Sequence, residues 1–183
     1  DDIIKGMYSL KSKKKKNKTI SVQILASGSM LNEAIIASKL LNEDWGIDTT
    51  IWSVTSYSEL HKEAENIQRW NNLHPNSKEK ISFLNQKIKA ENGPIIAVSD
   101  YVKLVAEQIS PYINCPFMAL GTDGFGRSGT RESLRDFFEV NRFYIVLHSI
   151  NLLIKEKMLD FKILPKVIKK YKINVDKANP NSI

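Results

Sequence analysis

Apolar and polar positions along this 183-residue chain alternate between two periods. Short β-branched or aliphatic runs mark strands, and stretches repeating every three to four residues mark helices. Ile3 to Leu10 alternates in part and predicts a first strand. Thr19-Ile-Ser-Val-Gln-Ile-Leu25 predicts a second, and Ile47 to Val54 a third. Pro94-Ile-Ile-Ala-Val98 is wholly apolar, the pattern of a strand covered on both faces. Phe117-Met-Ala-Leu120 predicts the last. Between them lie helical stripes. Leu31, Ala34, Ile35 and Leu41 follow a Ser29 cap and stop at Trp45-Gly46. Ser58 opens a helix through Leu60, Ala64 and Ile67, and Ile81 to Ala90 forms another. Ser99 or Asp100 caps a helix through Leu104, Val105 and Ile109. Thr130 caps one carrying Leu134, Phe137 and Phe138. Arg142 to Lys157 reads as helix, and Leu164 to Tyr171 as a last short one with Pro165 in its first turn.

This order predicts an α/β protein of three layers, with helices on both faces of a mostly parallel sheet. The first two strands read as an antiparallel hairpin whose tip is the lysine-rich run 11–18. One domain is expected over residues 1–173, followed by an extended tail at 174–183.

Composition narrows the function. Hydrophobic residues make up 42% of the chain, enough to fold, and no apolar run is long enough to span a membrane. Cys115 is the one cysteine, which excludes a disulfide framework and a cysteine metal cluster and fits a reducing cytoplasm. The abrupt Asp1-Asp2 start suggests a fragment. The net charge of +7 comes mainly from lysine. An acidic partner docking on the lysine tip is one reading, and a solvated surface that discourages edge pairing is the plainer one. Nucleic acid is not expected, because the lysines lack the arginine forks and stacked aromatics such recognition uses.

The candidate chemistry gathers at Gly121-Thr-Asp-Gly-Phe-Gly-Arg-Ser-Gly-Thr130, between the last strand and a helix. Strand-to-helix turns of an open α/β sheet are where ligands and partners meet it. Gly124 to Gly129 matches G-x-G-x-x-G, the dinucleotide fingerprint, but no acidic residue closes the next apolar run, which ends at His148 and Ser149. Asp123, Phe125 and Arg127 are therefore read as residues of an interface or an active-site rim. A local Asp123–Arg127 hydrogen bond is an alternative. His74, before Pro75, is a second rim candidate, or simply a hydrogen-bonded loop histidine. His61 is expected to be exposed, and His148 to be a satisfied core histidine. No catalytic, cofactor-binding or metal-binding residue is assigned.

Several of these stretches also carry a resemblance. GTDGFGRSGTRESLRDFFEV closely resembles the C-terminal domain of the thiamine-diphosphate-dependent first component of bacterial pyruvate dehydrogenase complexes, within the transketolase-like family. Leu25-Ala-Ser-Gly-Ser-Met30, Trp52 to Leu60, Arg69-Trp-Asn-Asn-Leu-His-Pro75, Ser99 to Gln108 and Asp176 to Pro180 agree in order. The resemblance implies five strands, the first antiparallel to the rest. It also implies a homodimeric enzyme that decarboxylates pyruvate on thiamine diphosphate with Mg²⁺ and acetylates the lipoyl group of the dihydrolipoyl acetyltransferase component. In that family the cofactor lies between domains outside this chain, so no cofactor is expected here and the isolated chain is expected to be inactive. The competing classes are a free-standing dinucleotide-binding protein using the glycine turn, and an interaction module using the lysine tip.

Overall fold

The computed structural model describes residues 1–13 and 20–182. Among them, five strands form one sheet: β1 (Met7–Lys13), β2 (Ser21–Ser27), β3 (Asp48–Val54), β4 (Ile95–Val98) and β5 (Phe117–Leu120). The strand order is β1-β3-β2-β4-β5. β1 runs antiparallel to β3, and every other pairing is parallel. The sheet is thus mixed and mostly parallel, as the three-layer expectation required.

Period-two alternation explains the two cores. Val22, Ile24 and Ala26 of β2 point to one face, together with Ile51, Ile96, Val98 and Leu120. Helix α1 (Leu31–Trp45) and helix α6 (Arg142–Lys155) cover that face through residues such as Ala34, Ala37, Leu41, Val146 and Ile150. Leu25, Trp52, Val54, Ile95 and Ala97 point to the other face. Helix α2 (Tyr57–Leu73), helix α3 (Phe83–Lys89) and helix α4 (Lys103–Glu107) cover it with Leu60, Leu84, Ile88 and Ala106. All four residues of β4 are buried, as its wholly apolar sequence predicted. Both faces of the sheet are thus covered by helices of the chain itself. Helix α5 (Arg131–Phe137) and helix α7 (Leu164–Tyr171) finish the set. Among the described residues, no helix is long and apolar enough to cross a membrane.

The first two strands do not form a hairpin. β3 lies between β1 and β2, and Met7 pairs with Val54 and Lys13 with Thr49. Adjacency in sequence suggested pairing, but the segment between β1 and β2 has enough residues to step across the width of a strand, roughly 4.8 Å per spacing. Most of the lysine run, residues 14–18, lies outside the described residues.

Ser29 is not the cap of α1. It sits in a single 3₁₀ turn, Gly28–Met30, and its hydroxyl is used elsewhere. Ser56, rather than Ser58, caps α2 by accepting the Glu59 N–H. Gly46 does end α1 in the left-handed conformation, at φ 69°. The tail is not extended. Residues 174–182 fold back on the molecule, where Pro180 is buried and Lys177 lies over the Tyr144 ring at 5.3 Å.

Candidate functional site

Because β2, β4 and β5 are parallel, their carboxyl ends deliver three turns to one rim. Those turns are cross-linked. Ser99 N–H donates to the Leu120 carbonyl at 3.0 Å, and Thr122 N–H donates to the Tyr101 carbonyl at 2.9 Å. The Thr122 hydroxyl donates to the Asp100 carbonyl at 3.1 Å. The Ser29 hydroxyl donates to the Asp100 carboxylate at 2.9 Å. Gly121 is required where the last two turns touch. A Cβ there would lie 2.5 Å from the Tyr101 carbonyl oxygen and 2.7 Å from the Lys103 nitrogen.

Asp123 caps α4 from across the rim. Its carboxylate accepts the Lys103 N–H at 3.0 Å and faces the Lys103 ammonium at 3.5 Å. That serves the helix end that Ser99 and Asp100 were expected to cap, because Asp100 is turned toward Ser29 and the Ser99 hydroxyl accepts the Tyr101 N–H. Asp123 is therefore not bonded to Arg127. The Arg127 guanidinium instead lies 4.3 Å above the Phe137 ring. Phe125, at the tip, is 83% exposed. Thr130 caps α5 as predicted, accepting the Ser133 N–H at 3.2 Å.

Beneath the tip is a buried charge cluster that periodicity did not single out. Glu33, 2% exposed, accepts from Arg135 at 2.9 Å. It also accepts from Arg142 at both carboxylate oxygens, 2.8 and 2.9 Å, and from the Arg142 N–H at 2.9 Å. Arg135 continues to the Ser29 hydroxyl at 3.0 Å. Burial would raise the Glu33 carboxyl, but the Arg142 hydrogen bonds outweigh it and hold the group below the usual carboxylate range. The same bonds raise Arg142. One chain of contacts, Asp100–Ser29–Arg135–Glu33–Arg142, thus ties the β2 and β4 turns to α5 and α6. The cue in sequence was an acid on the buried stripe of α1, where Glu33 stands four residues before Ala37 and eight before Leu41.

Above the cluster opens a cleft of about 560 Å³, walled by Phe125, Arg127, Arg131 and Arg135 and floored by Met30 and Val140. Exposed Tyr101, at 64%, stands on the neighbouring β4–α4 connection, and exposed Leu104, at 72%, in the first turn of α4.

His74 does not belong to this rim. α2 starts beside the end of β3 and runs 17 residues away, roughly 25 Å, and His74 is its C-terminal cap. The imidazole stacks on Trp70 with centroids 4.3 Å apart, and its Nδ1 meets the Trp70 carbonyl at 2.8 Å. That is the hydrogen-bonded loop histidine. His61 is half-buried rather than exposed, with Nδ1 3.0 Å from the Gln108 carbonyl and the ring against Tyr112. The His148 Nδ1, expected to be satisfied, is buried and has no hydrogen-bond partner among the described residues.

The rim does not fit a diphosphate–metal site or a dinucleotide. Asp123 is committed to the Lys103 N–H, and among the described residues no group of three or more His, Cys, Asp or Glu side chains could hold a metal ion. The apolar run after the glycine turn is helix α6, and β5 is an edge strand, so the fingerprint lacks the following strand it needs.

The family model of the transketolase-like TK C-terminal domain matches residues 6–141. A pyruvate dehydrogenase E1 component from Cupriavidus necator is 40% identical over 182 residues, which is 100% of this chain and 20% of that protein. Proteins of the same name from Pseudomonas aeruginosa and Escherichia coli K12 are 43% and 38% identical, each over 98% of this chain and 20% of their own length. The chain therefore spans about a fifth of the curated relatives it matches. Among solved structures, transketolase from Campylobacter jejuni aligns with a TM-score of 0.55 at 18% identity, over 82% of this chain and 19% of its own. A Pichia stipitis transketolase mutant complexed with xylulose 5-phosphate aligns at 0.58 and 19% identity, over 87% of this chain and 19% of its own. These structural likenesses bear on the fold, and the family match covers most of the sequence. By that match and this topology, the chain belongs to the transketolase-like C-terminal domain family.

Proposed function

We propose that this chain is the C-terminal domain of a pyruvate dehydrogenase E1 component. The observation that carries the proposal is identity of 38–43% across essentially the whole chain to three proteins of that name. The complete enzyme decarboxylates pyruvate and acetylates the lipoyl group of dihydrolipoyl acetyltransferase in the cytoplasm. Thiamine diphosphate, with Mg²⁺, supplies the carbanion-stabilising chemistry and is held by parts of the enzyme beyond this chain.

The domain's own part is architectural. Its rim presents Phe125 and Arg127 at the tip, beside Tyr101 and Leu104, and a homodimer forms across this surface. Large exposed apolar side chains with arginines match the make-up of interface cores. The buried Glu33 cluster supports the reading, because it fixes the angle at which the tip is offered. The test is an assay of the full-length protein together with this chain. Full-length enzyme with thiamine diphosphate and Mg²⁺ is expected to consume pyruvate. The 183-residue chain is expected to do neither that nor bind the cofactor. Micromolar cofactor binding by the chain would place cofactor ligands here and overturn the architectural assignment.

A further inference from the structure

Three guanidiniums wall the cleft beneath the tip, Arg127, Arg131 and Arg135, and the carboxylate among its lining residues is Asp100. They are not equally free. Asp100 accepts the Ser29 hydroxyl at 2.9 Å, and Arg135 is tied to Glu33 and to Ser29. Glu33 is shared with Arg142, so that cluster keeps one positive charge in excess. The Arg127 guanidinium lies on the Phe137 ring, a contact that leaves its N–H groups without an acceptor among the described residues. Arg131, exposed at the first position of α5, has no hydrogen bond, ion pair or ring contact among the described residues. Glu132 lines the adjoining cleft, of about 460 Å³, and not this one.

Below the arginines the cleft is apolar. Met30 and Val140 are buried under it, with Leu134 and Phe138 half-buried beside them. Unpaired guanidiniums above an apolar floor are complementary to a segment that carries a carboxylate next to an apolar side chain. Symmetry sets a second condition. In a two-fold dimer a patch on the axis meets its own copy, and a patch off the axis meets a different part of the other subunit. On the axis this cleft would set guanidinium against guanidinium, which is repulsive. Its counterpart is therefore an unlike surface. The chain itself is basic, with 27 Lys and Arg against 20 Asp and Glu, and spans about a fifth of the relatives it matches. The acidic counterpart is therefore assigned to the larger part of the enzyme.

We propose that the cleft receives an acidic segment of the partner subunit from outside this chain, its carboxylate paired with Arg127 and Arg131 and a neighbouring apolar side chain resting on Met30 and Val140. This rests on the homodimer forming across the rim, and adds that the contact joins unlike surfaces. The test uses the full-length enzyme carrying Arg131→Lys, treated with a water-soluble carbodiimide. The reagent joins the introduced ammonium to a touching carboxylate as an amide and takes up the water released, becoming a urea. The expected product has twice the subunit mass on a denaturing gel, and its peptides link position 131 to an Asp or Glu outside these 183 residues. A link from position 131 to a carboxylate of the same subunit or within the 183 residues would overturn the proposal, and so would no link from position 131. Sedimentation separates this from the reading it rests on. Arg131→Glu should raise the dimer dissociation constant at least about tenfold, and Arg131→Met by less. Thermal melting of Arg131→Glu should be unchanged, because an acid suits the first turn of a helix. If Phe125→Ala with Arg127→Ala weakens the dimer and Arg131→Glu does not, the rim remains the interface and the acidic segment is wrong. If neither weakens it, both fall.

Discussion

The base and the tip of the rim meet at one cleft, lined by Arg135 from the first and by Phe125 and Arg127 from the second, and are built by opposite means. At the base, one carboxylate, Glu33, is sealed at 2% exposure between two guanidiniums and fixed by hydrogen bonds from both. At the tip, Phe125 is 83% exposed, and Arg127 touches only the face of Phe137 in the contacts described above. Burying charge costs several kcal/mol of desolvation, so a chain keeps such a cluster only when the geometry satisfies each partner. Leaving a phenylalanine and an arginine in water costs little stability and contributes little to it. On the proposed reading the base belongs to folding and the tip to whatever the rim meets. Each variant below asks whether that division is real.

The largest effect should come from the base. Glu33→Leu removes the shared partner of Arg135 and Arg142 and should destabilise the chain by about 3–5 kcal/mol in denaturant titration. A loss below about 1 kcal/mol would mean that the arginines find water and that the cluster does not hold the rim.

Acid should act on the tail side of the molecule next. The folded-state pKa of His148 is depressed from 6.5 to about 4. Its stabilising contribution is therefore complete above pH 6.5 and is lost as the pH falls toward 4, where the unfolded chain takes up the proton first. Up to about 3 kcal/mol of stability should disappear across that window, and His148→Leu should flatten this part of the profile. An unchanged slope in the variant would assign the acid sensitivity to other groups.

Two glycines of the same turn sharpen the contrast further. Gly121→Ala drives a Cβ against backbone and should cost more than about 2 kcal/mol. At Gly126, an added Cβ would meet no described atom within 4 Å, so Gly126→Ala should change stability by less than about 0.5 kcal/mol. Equal costs by thermal melt would show that the tip is packed as tightly as the base.

Much of this division was open to reading from sequence, and the rest depended on contacts between distant residues. The β4 run Ile95–Val98 and the α6 stripe announce their burial locally, because period and composition report the faces of one element. The glycine turn likewise marked the rim. The place of β1 did not follow, since strand order is set by which edges are left to pair and not by sequence neighbours. Glu33 and Arg135 are 102 residues apart, so an acid on an apolar stripe was visible but its partners were not. Gly124 shows the same limit. It stands at φ 99°, and a Cβ there would lie 2.9 Å from the Pro180 carbonyl oxygen, a contact that exists only because the tail turns back. His74 carried the same kind of signal as the rim residues, yet the length of α2 takes it to the far end.

The central claim is that the tip serves association and not folding or chemistry. Its most direct test is sedimentation of the full-length enzyme carrying Phe125→Ala and Arg127→Ala together, with pyruvate decarboxylation measured on the dimer fraction. The account predicts a dimer dissociation constant raised at least about tenfold, a loss of about 1.4 kcal/mol. It also predicts decarboxylation per assembled dimer within about tenfold of wild type. An intact dimer whose decarboxylation had fallen by several orders of magnitude would contradict it, and would make Phe125 or Arg127 part of the active site.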